Sequence, residues 1–158
     1  MTPILPLLLL AAAQSEKLPP ANPIPLDRSD EVAVMVPVNG IFAGLTAHDG
    51  QAILTHVRPE GMATVAIEKP DGGRAIRRMS WADFAGGIKP GPQHLEERMT
   101  NPAIDIDGDI AMVWGRYVLL VDGKPHHCGV NHFDMLRENG QWKVLNVTWS
   151  QRTTGCED

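Results

Sequence analysis

The 158-residue chain has only two cysteines and no basic cluster beyond Arg74-Ala75-Ile76-Arg77-Arg78. It carries 14 basic against 19 acidic residues, a formal net charge of −5, which argues against a general nucleic-acid surface. No C-x-x-C spacing occurs, so a zinc ribbon and a thioredoxin-type redox site are excluded. Past the first residues no apolar run could cross a bilayer, which takes about 20 residues. The composition is neither disordered nor collagen-like, despite 15 Gly and 13 Pro. What remains is the make-up of one soluble globular domain, 43% hydrophobic and 21% charged, long enough to fold without a metal or disulfide staple.

Met1 to Ala13 is an apolar run that ends on Ala11-Ala12-Ala13, which meets the small-residue cleavage rule of a signal peptide. Its start has no Lys or Arg, so a plain apolar tail is the other reading. Residues 14–28 hold Pro19, Pro20, Pro23 and Pro25 and read as an extended linker. A domain over 29–152 and a tail over 153–158 complete the expected organisation. Cleavage would place the protein in a secreted or periplasmic compartment, with no membrane attachment afterwards. There, Cys128 and Cys156 invite a disulfide; two unrelated thiols are the alternative.

Ser29 or Asp30 offers an N-cap before Met35, Val38, Phe42 and Leu45, whose spacing predicts a helix to about His48, with Pro37 set to kink it or delay its start. A short helical turn follows through Leu54. Ala63 to Glu68 and Arg74 to Met79 read as a hairpin, and Ser80 caps a short helix with Asp83 at the capping-box position. Strands are expected near 93–107, 109–121, 124–138 and 141–152, separated by Asp107-Gly108, Asp122-Gly123 and Asn139-Gly140. This order predicts an α+β fold, helices lying on one face of a curved antiparallel sheet.

Counting outward from the last two turns sets a register. It puts His132 beside Val113 and Val147, Asp134 beside Ala111 and Leu145, Val130 beside Trp149, and Cys128 beside Tyr117. With a side-chain period of two, these residues share one face, mostly apolar with one His and one Asp. That is pocket composition, unless the two polar residues sit in water at the sheet margin. A bulge would swap the assignment beyond it.

The long helix, the short helix near Ser80 and the closing stretch from Phe133 to Val144, Phe-Asp-Met-Leu-Arg-Glu-Asn-Gly-Gln-Trp-Lys-Val, resemble the nuclear transport factor 2-like superfamily, specifically its secreted SnoaL-like domains. The resemblance covers about residues 29 to 152. It implies a cone-shaped fold, a curved antiparallel sheet wrapped around N-terminal helices with a central pocket, and it implies a homodimer. The superfamily includes ketosteroid isomerases, cyclases, hydrolases, dehydratases and proteins with no chemistry, so it does not name an activity. Laid on ketosteroid isomerase, the closing Trp149-Ser150-Gln151 and the turn Asp122-Gly123-Lys124-Pro125 put the family's hydrogen-bond-donating acid on His132. Its base falls on Ile67, beside Glu68, and its tyrosine falls near Gly40, with Tyr117 the one tyrosine of the chain. Steroid isomerisation is therefore not expected.

His126, His127, Cys128, His132 and Asp134 invite a metal, but His132 lies some 13 Å along the strand from the first of them, too far for one ion. No metal and no cofactor are expected. His132 and Asp134 are the candidate catalytic dyad, with Asp orienting His. The expected ligand-binding set is Tyr117, Val130, His132, Asp134, Val147, Trp149 and His56, the last at the cavity mouth or merely on a surface loop. Trp114 and Trp142 fall on the opposite face, in the core or at a subunit interface. The function expected is an exported cavity protein for a small apolar or amphipathic molecule. The alternatives are a structural or dimerisation module and an isomerase-, cyclase- or hydrolase-like enzyme using His132 and Asp134.

Overall fold

The structure, a computed structural model, describes residues 28–156; the expected signal peptide and all but the end of the linker lie outside the described residues. Helix α1 (Arg28–Thr46) buries Val34, Val38 and Ile41, at helical spacing, and runs through the fully buried Pro37, which does not delay its start. Asp49 then caps the short α2 (Gly50–Leu54) by accepting the Ala52 N–H at 3.0 Å. Strands β1 (Met62–Glu68) and β2 (Arg74–Ser80) form a hairpin. The Ser80 hydroxyl accepts the Asp83 N–H at 3.1 Å and starts α3 (Trp81–Gly87), as the capping residues predict.

Four long strands follow: β3 (Leu95–Asp107), β4 (Ile110–Val121), β5 (Lys124–Glu138) and β6 (Gln141–Gln151). Asp122-Gly123 and Asn139-Gly140 have positive φ at both central positions, the type I′ arrangement whose twist matches that of paired strands. The first turn is displaced by one from expectation. Asp107 pairs with Ile110, so the loop is Gly108-Asp109.

The sheet order is β2-β1-β6-β5-β4-β3, all antiparallel except β1 beside β6. Helix α1 packs on β3 and β6, and the core between helices and sheet is built on Ile53, Trp81, Val113, Phe133, Met135, Val144 and Val147. The fold class read from the sequence is the one observed: α+β, a curved sheet that does not close, with helices on its concave face.

The register holds near each turn and slips further out. Leu120 pairs with Pro125 but Leu119 with His127, so His126 is an extra residue in β5. Met135 pairs with Val144 but Asp134 with Asn146, so Leu145 is an extra residue in β6. Each bulge shifts β5 by one residue against a neighbour and turns its side chains over. Strand β4 keeps its expected face, and β6 keeps it from Val147 onward; β5 does not, and before the Leu145 bulge Trp142 and Val144 of β6 face the core instead of the opposite side. Cys128, Val130, His132 and Asp134 therefore lie on the convex face, and Asn131 and Phe133 on the concave one.

Candidate functional site

The concave face and the helices enclose a cavity of about 240 Å³. Ile41, Phe42 and Leu45 of α1 and Trp81, Phe84 and Ile88 at α3 form one wall; the sheet forms the other through Leu95, Tyr117, Leu119, Phe133, Val147 and Trp149. The chain has three Phe, one Tyr and four Trp, and all but Trp114 and Trp142 line this space. Edge-to-face contacts hold the rings: Phe42 to Phe133 at 6.1 Å, Phe84 to Trp149 at 6.1 Å and Trp81 to Phe84 at 5.7 Å. An aromatic-poor chain has placed most of its rings around one cavity.

Four polar side chains reach into it: Glu97, His127, Asn131 and Gln151. Asn131, 3% exposed, is the one buried polar residue among those described, and its Nδ2 donates to Glu97 Oε1 at 2.6 Å. Desolvation of the carboxyl raises the Glu97 pKa to about 7, against the smaller opposing effect of the Asn131 hydrogen bond. His127 is pushed the other way, down to about 4, by burial and then by the neighbouring His126. Burial, then the nearby Glu97, raises the Tyr117 phenol. Its hydroxyl donates to the Ser150 carbonyl at 3.0 Å. The strand partner of Tyr117 is Gly129, where a Cβ would come within 2.0 Å of that same carbonyl oxygen, so only glycine lets β5 and β6 approach so closely there.

Of the residues expected at this site, Tyr117, Val147 and Trp149 line the cavity. Val130, His132 and Asp134 do not, because the two bulges turn β5 over. Their predicted cavity placement is corrected. His132 and Asp134 do meet as a dyad, Nε2 to Oδ1 at 3.5 Å, but half-exposed on the convex face, with the His132 ring 5.7 Å from the exposed Trp114. His56 is not at the cavity mouth. Its ring packs so closely on α1 that a Cβ at Gly40 would lie 2.3 Å from Nε2. Burial, then Lys143, lowers its pKa. Thus His56 fills the space beside Gly40, where the resemblance would have put a tyrosine. Trp142 is a core residue, while Trp114, Met112 and Ile110 leave an apolar strip on the convex face.

Cys128 and Cys156 are joined by a disulfide, Cα to Cα 5.4 Å, which ties the tail to the convex end of β5. Among the described residues no group of three or more His, Cys, Asp or Glu converges as a metal site.

Sequence reasoning missed Glu97, His127, Asn131 and the three phenylalanines. A signal for Glu97 was present: Leu95, Glu97 and Met99 alternate, which puts the acid on the apolar side of its strand.

Neither a family model nor a curated protein sequence matches the chain. Solved structures do. A protein of unknown function with a cystatin-like fold from Nostoc punctiforme is 13% identical, with a TM-score of 0.61 over 82% of this chain and 96% of that one. A nuclear transport factor 2-like protein of unknown function from Shewanella baltica is 15% identical, with a TM-score of 0.58 over 79% and 95%. A scytalone dehydratase-like protein from Novosphingobium aromaticivorans is 14% identical, with a TM-score of 0.61 over 79% and 85%. The sheet, the helices laid across its concave face and these likenesses agree that the chain has the nuclear transport factor 2-like fold.

Proposed function

We propose that this is an exported protein that binds a small, mostly apolar molecule in the cavity between α1, α3 and the concave face of the sheet. The observation that carries the reading is the pairing of an aromatic-lined cavity with one polar anchor, Glu97 held by the buried Asn131. Apolar walls bind by area, and a few fixed polar groups set orientation. The volume suits a molecule of roughly one or two rings, below the size of drug-like ligands. Export is supported by the apolar Met1–Ala13 segment and by the disulfide, which suits an oxidising compartment. Catalysis by His132 and Asp134 loses its basis, because the dyad has no access to the cavity.

Trp149 makes the reading testable, since an occupant would lie against its ring. Titration with small cyclic and aromatic compounds should shift tryptophan emission and raise the melting temperature. In Leu119→Phe, whose larger ring enters the cavity, both responses should disappear while far-ultraviolet circular dichroism stays unchanged. Undiminished binding by Leu119→Phe would show that the ligand sits elsewhere.

A further inference from the structure

We infer that the occupant of this cavity is a small lipophilic amine, its ammonium paired with the Glu97 carboxylate and its apolar body lying against Phe84, Phe133 and Trp149. This rests on the cavity-binding reading above and names the ligand class.

Glu97 lacks a counter-charge among the described residues. Asn131 takes one carboxylate oxygen, Oε1, and no group among the described residues bonds the other. Among the described residues no Lys or Arg lines the cavity, and none forms an ion pair with Glu97. The neighbouring Arg98 belongs to the opposite face of β3, where it binds Glu96 at 2.7 Å. A carboxylate enclosed by apolar walls without a counter-charge is costly, and the raised pKa of Glu97 expresses that cost. A cationic ligand supplies the missing charge. An anionic one would meet like charge, and a purely apolar one would leave the carboxyl desolvated with no new partner. The walls agree with the charge. Faces of Trp and Phe attract an ammonium, more strongly away from water, and rings dominate this cavity.

Ligand binding should then follow the ionisation of Glu97. The other groups facing it are Tyr117 on β4 and His127 on β5, with His126 beside the latter and Arg152 near the phenol. Helices α1 and α3 present only apolar side chains to the cavity. His127, held down at about 4, and Tyr117, raised, do not change charge near neutrality. Glu97, at about 7, does.

The test uses matched probes, 2-phenylethylamine and 2-phenylethanol, titrated calorimetrically into the full chain. From about pH 6 to about pH 8 the ionised fraction of Glu97 rises about tenfold, and amine affinity should rise with it. Up to one proton should be released per amine bound near pH 6, read from titrations in two buffers of different ionisation enthalpy. The alcohol should bind more weakly at about pH 8 and show no such rise. Glu97→Gln keeps the shape and the oxygen that accepts from Asn131, and should remove both the pH dependence and the amine's advantage. If the alcohol matches the amine, or if amine affinity falls as pH rises, the cavity reading stands and the amine is excluded. A falling affinity would mean that protonated Glu97 donates to the ligand. If neither probe shifts tryptophan emission at any pH, both readings fall.

Discussion

Glu97 and His127 line one cavity and carry opposite pH signatures. The Glu97 pKa is raised from 4.5 to about 7, so the folded state keeps a proton that the unfolded chain has lost. Its contribution is fully present below about pH 4.5 and is lost as pH rises through about 7, a change of roughly 3 kcal/mol. The His127 pKa falls from 6.5 to about 4, so its contribution is present above about pH 6.5 and is lost as pH falls through about 4, by less than the Glu97 change because solvent screens the partly exposed ring. Between those values the two slopes oppose and partly cancel. Each single variant should expose the other slope. Relative to the unaltered chain, Glu97→Gln should gain stability as pH rises from about 4.5 to about 6.5, and His127→Gln should lose it. Urea unfolding at three pH values across that window checks both signs. Stability differences that do not vary with pH would show that neither group is desolvated as described.

At the scale of the element, most of this molecule was legible. Turn dipeptides, the Ser80 cap and the apolar spacing of α1 are local signals, and the structure places nearly every element within a residue or two of expectation. The side-chain faces of β5 were not legible by counting, because a bulge is set by pairing across strands rather than by one strand's own preference. Two marks of the bulges were nonetheless present. Pro125 has no N–H to give a ladder and is tolerated in a strand chiefly at edges, starts and bulges, and His126 follows it as the extra residue. In β6 the core-facing residues run Trp142 and Val144, then Val147 and the partly buried Trp149, and the skipped phase marks Leu145. Because both slips interrupt the pairing of β5, one with β4 and one with β6, β4 and the second half of β6 kept their faces. Tyr117, Val147 and Trp149 were placed correctly for that reason, and Val130, His132 and Asp134 were not. The consequence can be tested by deletion. Removing His126 would close its bulge and drive Phe133 and Met135 out of the core, unless the strand re-forms the slip elsewhere. Its deletion should cost several kcal/mol in denaturant unfolding, as loss of a large buried side chain does, whereas His126→Ala, with the backbone count intact, should cost under about 1 kcal/mol. Equal costs would mean that the extra residue does not set the register.

For the whole molecule, the two faces of the sheet carry separate duties. The concave face holds the cavity, and the convex face holds the chain's one covalent cross-link. Cys128 sits near the open end of β5, where it pairs by a bridge with Arg152, and Cys156 folds back over it. A sequence separation of 28 means that the bond closes a loop spanning most of β5 and all of β6. In the chain-entropy account, closing a loop of that length contributes roughly 3–4 kcal/mol, by limiting the unfolded chain rather than by adding native contacts. The loss should therefore appear in unfolding and not in the cavity. Cys156→Ser should lower the melting temperature by about 10 °C, while the binding responses at Trp149 keep their affinity and pH dependence. Labelling of the unreduced, denatured protein from its native compartment should find no free thiol. Two reactive thiols there would remove both the cross-link and its support for export. A fall in ligand affinity on Cys156→Ser, at temperatures where the variant is folded, would show instead that the tail holds the cavity in shape through β5.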